Sequence, residues 1–107
     1  MANNYNSEHE TALNKIMENM PDAEAGKMFG YPGYKVNGKL AAGLHKEGII
    51  VKIGRDRASE VISKGTGAKF EPLPGRVWKD WVLLTSDFDK NKALFKEAVE
   101  NVKKETA

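Results

Sequence analysis

Apolar and polar residues alternate with a period near two from Tyr34 to Ile53. A sheet with one buried face requires this alternation, because successive side chains of a strand point to opposite faces. The pair Asn37-Gly38 favours a two-residue hairpin turn, and residues 46–48 (Lys-Glu-Gly) supply a second reversal. The pattern therefore predicts a three-stranded meander in the middle of the chain.

Two sets of side chains in the meander are expected on opposite faces of the sheet. Ala41 and Gly43 are small, so we expect a large group to pack over them or a neighbouring backbone to approach closely. The residues expected on the other face, which is the buried one, are Tyr34, Val36, Leu40, Ala42 and Leu44.

Pro32 indicates that the first strand of the meander lies at an edge of the sheet, because proline has no N–H to donate to a ladder. We expect a bend in residues 30–33 (Gly-Tyr-Pro-Gly) that protects this edge from stray pairing. The alternative interpretation makes the strand a contact surface for a protein partner. The residues of this candidate protein contact are Tyr31, Pro32, Tyr34 and Val36.

A first helix is predicted to begin at Ser7, because Glu10 follows three residues later with the spacing of a capping box. Pro21 ends the helical pattern. Residues 1–6 are expected to fray, and residues 22–26 to form a polar connection. The apolar stripe of this helix consists of Leu13, Ile16, Met17 and Met20.

A short second helix is predicted after the meander, capped by Asp56 and ended by Gly65. Residues 67–73, anchored by Phe70, form the next predicted strand. A Leu-Pro-Gly-Arg turn then leads into residues 77–85. This last strand is apolar on both faces, which favours a central position in the sheet.

A third helix is predicted near the end of the chain, capped by Asp87 or Asp89. The order of elements is then helix, three strands, helix, two strands, helix. This order predicts a two-layer α+β domain, in which a five-stranded antiparallel sheet is covered on one face by helices. The apolar stripe of the third helix consists of Phe95, Ala98, Val99 and Val102.

Composition excludes several classes of protein. The chain has 107 residues, which is the size of a single domain, and it is 40% apolar and 30% charged, as expected for a folded protein. No apolar run approaches the roughly 18 residues that a membrane-spanning helix needs. The first ten residues lack the basic flank and apolar core of a secretory signal, and there is no cysteine. We therefore expect a cytoplasmic protein with no membrane segment.

Three motifs resemble one family: Lys-Met-Phe-Gly-Tyr-Pro at 27–32, Val-Asn-Gly-Lys at 36–39 and Gly-Ala-Lys-Phe-Glu-Pro-Leu at 67–73. The chain resembles the TfoX N-terminal domain family from Glu8 to Lys104. The most specific part is the Met-Phe-Gly triplet at 28–30 joined to the Asn-Gly hairpin. The family is named after a bacterial regulator of competence for DNA uptake, in which a second, carboxy-terminal domain follows; we expect this chain to act without that second domain.

The resemblance implies a secretion-chaperone-like two-layer fold, with one domain over residues 1–107. It implies no enzymatic chemistry and supplies no catalytic or ligand residues. We therefore expect a non-catalytic regulatory or protein-interaction domain that works through its sheet or as a homodimer.

The residues themselves offer little chemistry. His9 and His45 have no second histidine or cysteine at ligand spacing, so we expect no metal site. The glycines of residues 65–69 (Gly-Thr-Gly-Ala-Lys) follow a helix and precede a strand, which is the reverse of a phosphate-binding loop. No glycine-serine-glycine elbow presents a nucleophile. We expect no catalytic residue and no cofactor.

The strongest functional hint is a basic segment, residues 52–79. It holds seven lysines and arginines against three carboxylates, a net charge of +4. Cations bind phosphates and exposed aromatic rings stack on bases, so the alternative function is an auxiliary nucleic-acid-binding module. The simpler interpretation makes the tryptophans core anchors. The candidate nucleic-acid contacts are Lys52, Arg55, Arg57, Arg76, Trp78 and Lys79.

Overall fold

The computed structural model describes residues 5–28 and 30–107, except the side chain of residue 28. Phe29, part of the family-like triplet, therefore lies outside the described residues. The helices are Ser7–Met17 (α1), Arg55–Ser63 (α2) and Lys92–Glu105 (α3). The strands are Glu24–Met28 (β1), Tyr31–Val36 (β2), Lys39–His45 (β3), Gly48–Lys52 (β4), Ala68–Leu73 (β5) and Arg76–Leu84 (β6).

The six strands form one antiparallel sheet in the order β1-β2-β3-β4-β6-β5. The main core lies between this sheet and the three helices, since it contains buried residues of α1, α2 and α3 together with inward-facing residues of the strands. The α+β class, the antiparallel sheet and the central position of β6 are as predicted. The sheet has six strands where the sequence predicted five.

The additional strand is β1, whose first three residues, 24–26, fall within the predicted polar connection. All five of its residues pair with β2, from Glu24 opposite Lys35 to Met28 opposite Tyr31. The segment Glu-Ala-Gly-Lys-Met does not alternate between apolar and polar residues, and Glu24, Ala25 and Lys27 are exposed. Backbone pairing alone makes it a strand, and the hydrophobic pattern does not detect that.

Both turns of the meander are confirmed. Asn37 and Gly38 have φ angles of 52° and 85°, which are the positive values that a type I′ turn requires. The second reversal joins His45 to Gly48 across residues 46 and 47. Local turn chemistry is therefore sufficient to place these two hairpins.

The predicted face of Leu40 is wrong. A register shift between Tyr34 and Lys35 interrupts the pairing of β2 with β3. Leu40 consequently packs with a second cluster, separate from the main core, while Ala42 and Leu44 enter the main core. Its methyl groups lie over Gly33 and Gly43, where a Cβ would be 2.9 Å and 3.6 Å from them. Leu40 thus packs over Gly43, one of the two small residues, whereas Ala41, the other, is buried in the main core, so its predicted face is also wrong.

The second cluster is built by a distortion of the β5–β6 hairpin. Lys69 is opposite Val82, but the next residue, Phe70, is opposite Trp78, so β6 has three more residues than β5 between these pairs. The buried members of the cluster are Ile50, Phe70, Trp81 and Leu83, and Leu40 and Trp78 pack against it. Phe70 is the buried anchor that the sequence predicted, with 2% of its surface exposed.

The helix caps differ from those predicted. Asn6 caps α1 by accepting a hydrogen bond from the backbone N–H of Glu8 at 2.7 Å, so the helix is ordered from a residue that was expected to fray. Gly54 precedes α2 in place of Asp56, and Asn91 precedes α3 in place of an aspartate. The predicted stripes of α1 and α3 are buried, except that Met20 lies beyond the end of α1.

Candidate functional site

The four residues of the predicted protein contact do not lie at an edge. They belong to β2, which pairs with β1 on one side and β3 on the other. Val36 is buried, and the Tyr34 hydroxyl donates a hydrogen bond of 2.8 Å to Asn14 Oδ1 in α1. Pro32 fits inside the sheet because β3 begins to pair only at Gly33. The edge prediction is therefore wrong, and its physical reason is the unexpected strand β1.

The actual edges of the sheet are β1 and β5, and they differ in regularity. The pairing of β1 with β2 has no register shift, and Glu24, Ala25 and Lys27 are exposed. The pairing of β5 with β6 is broken twice, and Pro72 lies within β5. Since a strand can be added only to regular, accessible backbone, β1 is the edge that can accept one.

Carboxylates neutralise two of the six residues in the predicted nucleic-acid contact. Lys52 Nζ lies 2.8 Å from Glu105 Oε1 at the end of α3. Arg57 bonds Glu97 of α3 at 2.7 Å and Glu60 of its own helix at 2.6 Å. These contacts raise the pKa of Arg57 and hold the pKa values of Glu60 and Glu105 below their ordinary range. Both cations thus connect α3 to the rest of the fold.

The other four residues of the predicted nucleic-acid contact lie in two places, a hairpin tip and a cleft. Arg76 is exposed at the tip of the β5–β6 hairpin. Arg55, Trp78 and Lys79 line a cleft of about 350 Å³ between α2 and β6, which we call the α2–β6 cleft. Its remaining lining residues are Ser59, Ile62, Ser63, Val77 and Trp81.

Trp78 is half-buried, so it is both a core anchor and a wall of the α2–β6 cleft. Its ring meets Phe70 edge to face at 5.2 Å between centroids and lies 5.8 Å from Trp81. Phe70 in turn contacts His45 at 4.9 Å, and His45 contacts Tyr31 at 5.8 Å. These rings form a continuous row, which we call the aromatic row, and the row holds the ring of Trp78 in its orientation.

A second and larger cavity, of about 620 Å³, lies between α1 and α3. Its floor includes Ile16, Met20 and Val99. Its rim carries charges of both signs, so it favours neither an anion nor a cation. The charged residues are Lys15, Lys92, Lys96, Asp22, Asp89 and Glu100.

The two histidines pack against phenylalanine rings within the part of the chain that the structure describes. The Nδ1 atoms of His9 and His45 are buried without a hydrogen-bond partner, and each ring packs edge to face on a phenylalanine. Burial lowers the pKa of His45, and the charge of Lys46 acts in the same direction. No group of three or more histidine, aspartate or glutamate side chains suited to a metal ion occurs among the described residues.

Two features of the site escape sequence reasoning. One is the free edge of β1. The other is the participation of Ser59 and Ser63, for which a signal exists: with Arg55 they recur every four residues and so share one face of α2. The sequence alone gives no reason to connect that face with Trp78, because the connection depends on how β6 bends.

Comparison with models of protein families, with curated proteins and with solved structures gives no match for this chain. In the described residues there is no helix that is long and apolar enough to cross a membrane.

Proposed function

We propose that this chain is a non-catalytic regulatory domain of the TfoX N-terminal type, and that it acts by pairing its β1 edge with a second copy of itself. The observation that carries the proposal is that β1 is a regular, exposed edge strand, whereas the pairing of β5 at the other edge is broken twice. The motif resemblance supports the same class of domain and a secretion-chaperone-like fold. The contact strand is now β1 in place of β2.

The shape of β1 suits a symmetric pair. A two-fold axis through Gly26 would place that glycine opposite its own copy, where the absence of side chains lets the two strands approach. Ala25 would then face Lys27 of the second copy, and Glu24 would face residue 28. No like charges lie opposite each other in this register, and the two sheets would join into one continuous sheet.

The alternative of an extended nucleic-acid surface receives less support. Such a surface depends on a row of cations available to phosphates. Lys52 and Arg57 are occupied by carboxylates of the same chain, and Arg76 is at a separate hairpin tip. The residues that remain together are those of the α2–β6 cleft, which is too small to follow a duplex.

Light scattering over a concentration series tests the β1 pairing, with two variants of one exposed residue. Ala25→Lys places two lysine–lysine pairs across the two-fold axis, and like charges directly opposite cost about 0.2–1 kcal/mol each. The dissociation constant of the dimer should rise roughly 2- to 30-fold. Ala25→Glu places glutamate opposite Lys27 and should strengthen the dimer by a similar factor.

The two Ala25 variants are matched controls for each other, since both add a long charged side chain at the same position. If both weaken association equally, the strands pair in another register. A wild-type protein that stays monomeric at the highest concentration contradicts the proposal.

A further inference from the structure

The α2–β6 cleft has the lining of a site for an anion that carries a flat ring. Its apolar part consists of Ile62, Val77 and the two tryptophans, and its polar part consists of Arg55, Lys79 and two serine hydroxyls. Ligand sites in proteins commonly combine an apolar floor with a few convergent polar groups, in volumes of about 300–1,000 Å³. The volume here, about 350 Å³, is at the lower end of that range.

The charge of the cleft has one sign. No carboxylate is among its lining residues, whereas the cavity between α1 and α3 has three, from Asp22, Asp89 and Glu100. Arg55 and Lys79 form no ion pair with another described residue, in contrast to Lys52 and Arg57. The amino end of α2 begins at Arg55 and adds a partial positive charge at the same place.

The two walls of the cleft are joined by contacts within the fold. The three additional residues of β6 that distort the hairpin are 79–81, so the bend itself brings Lys79 and Trp81 to the cleft. The backbone carbonyl of Asp80 accepts hydrogen bonds from the N–H groups of Ile53 and Gly54, immediately before α2. These two bonds join the bend of β6 to the start of α2.

We propose that the α2–β6 cleft binds one nucleotide unit, with the base against the half-buried ring of Trp78 and the phosphate between Arg55 and Lys79. Arginine and lysine are the side chains that bind phosphate, and indole rings stack on any base. Ser59 and Ser63 are placed to donate to a sugar or phosphate oxygen. The unit is either a free nucleotide or one nucleotide of a single strand. This inference is independent of the β1 pairing.

Tryptophan fluorescence tests the inference directly, because Trp78 and Trp81 are the two tryptophans of the chain and both line the cleft. The intact protein is titrated with adenosine monophosphate, adenosine, inorganic phosphate, oligodeoxyadenylate and a duplex of the same length. Excitation at the red edge of the tryptophan band avoids absorption by the bases. We expect saturable quenching by the mononucleotide, the single strand or both.

Two pairs of substitutions, each removing two exposed positive charges, separate the cleft from general charge. The test pair is Arg55→Gln with Lys79→Gln, which should weaken binding about tenfold or more, since each lost contact is a charge-assisted one. The control pair is Lys92→Gln with Lys96→Gln at the α1–α3 cavity, which should leave binding unchanged. Ser59→Glu, a single exposed change that puts a carboxylate in the cleft, should likewise weaken binding.

The outcomes decide between the two sources of the nucleotide and the failure of the inference. Saturation by the mononucleotide supports a free-nucleotide site, and saturation by the single strand alone supports a nucleic-acid site, with a salt dependence of roughly −0.7 per phosphate contact. The inference is overturned if only the duplex binds, or if no probe gives saturable quenching. It is also overturned if adenosine binds as tightly as its monophosphate, or if the test pair and the control pair of substitutions lose the same binding affinity.

Discussion

Gly48→Ala is predicted to destabilise the domain severely, while the same substitution at Gly43, in the neighbouring strand, is tolerated. A Cβ at Gly48 would collide with the carbonyl oxygen of Leu84 in β6, with Leu84 C and Thr85 Cα at 3.0 Å and 3.1 Å. These are backbone atoms, which cannot rotate away as a side chain can. At Gly43 the nearest atom is Leu40 Cδ2 at 3.6 Å, an ordinary van der Waals contact.

The magnitude follows from what must move. To accept the methyl group, β4 has to separate from β6 near the pair Ile49–Leu84. Losing about two ladder hydrogen bonds costs about 1 kcal/mol each, and overpacking adds about 1–3 kcal/mol. We expect a loss of roughly 3–5 kcal/mol for Gly48→Ala, out of a total stability of about 5–15 kcal/mol. Gly43→Ala should change stability by no more than about 1 kcal/mol, since reduced entropy of the unfolded chain favours alanine.

Urea unfolding followed by tryptophan fluorescence measures both variants. The midpoint for Gly48→Ala should fall sharply with an unchanged slope, and that for Gly43→Ala should stay near the wild-type value. If Gly48→Ala unfolds within about 1 kcal/mol of wild type, β4 does not approach β6 as closely as the structure has it.

Two further predictions concern the aromatic row. Phe70→Ala should lower the free energy of unfolding in urea by about 3–5 kcal/mol, because it removes the central ring of the second cluster. Leu73→Ala in the same strand, where the side chain is 62% exposed, should lower it by no more than about 0.5 kcal/mol. Similar losses in the two variants would contradict the distorted β5–β6 hairpin that buries Phe70. Because burial lowers the pKa of His45, the unfolded state binds the proton more readily, so stability should be complete above about pH 6.5 and fall as the pH drops toward the folded pKa. Urea midpoints at neutral and mildly acidic pH measure this fall, which His45→Gln should remove; an equal fall in that variant would assign the effect to another group.

Sequence reasoning succeeds here where structure is determined locally or by apolar periodicity. The Asn37-Gly38 turn needs only its own two residues, and the stripes of α1 and α3 need only a regular spacing. Phe70 is recognisable as an anchor because it is the one aromatic residue of its strand and lies between Lys69 and Glu71.

Sequence reasoning fails where backbone pairing between strands, or a shift in their register, determines the structure. Nothing apolar marks β1, so β2 was predicted to be an edge and the candidate contact was assigned to the wrong strand. The shift beside Tyr34 turns Leu40 to the other face. The α2–β6 cleft depends on the bend of β6 at residues 79–81, and the pairing of Arg57 depends on where α3 packs. These are contacts between distant parts of the chain.

Hydrogen exchange of the β1 amides at low and high protein concentration tests the pairing of copies most directly. If two copies join at β1, amides within Glu24–Met28 that face away from β2 should become protected as concentration rises. The β5 edge should not change, since its irregular pairing offers no ladder. Protection that is independent of concentration in β1, or that rises elsewhere on the surface, would contradict the account.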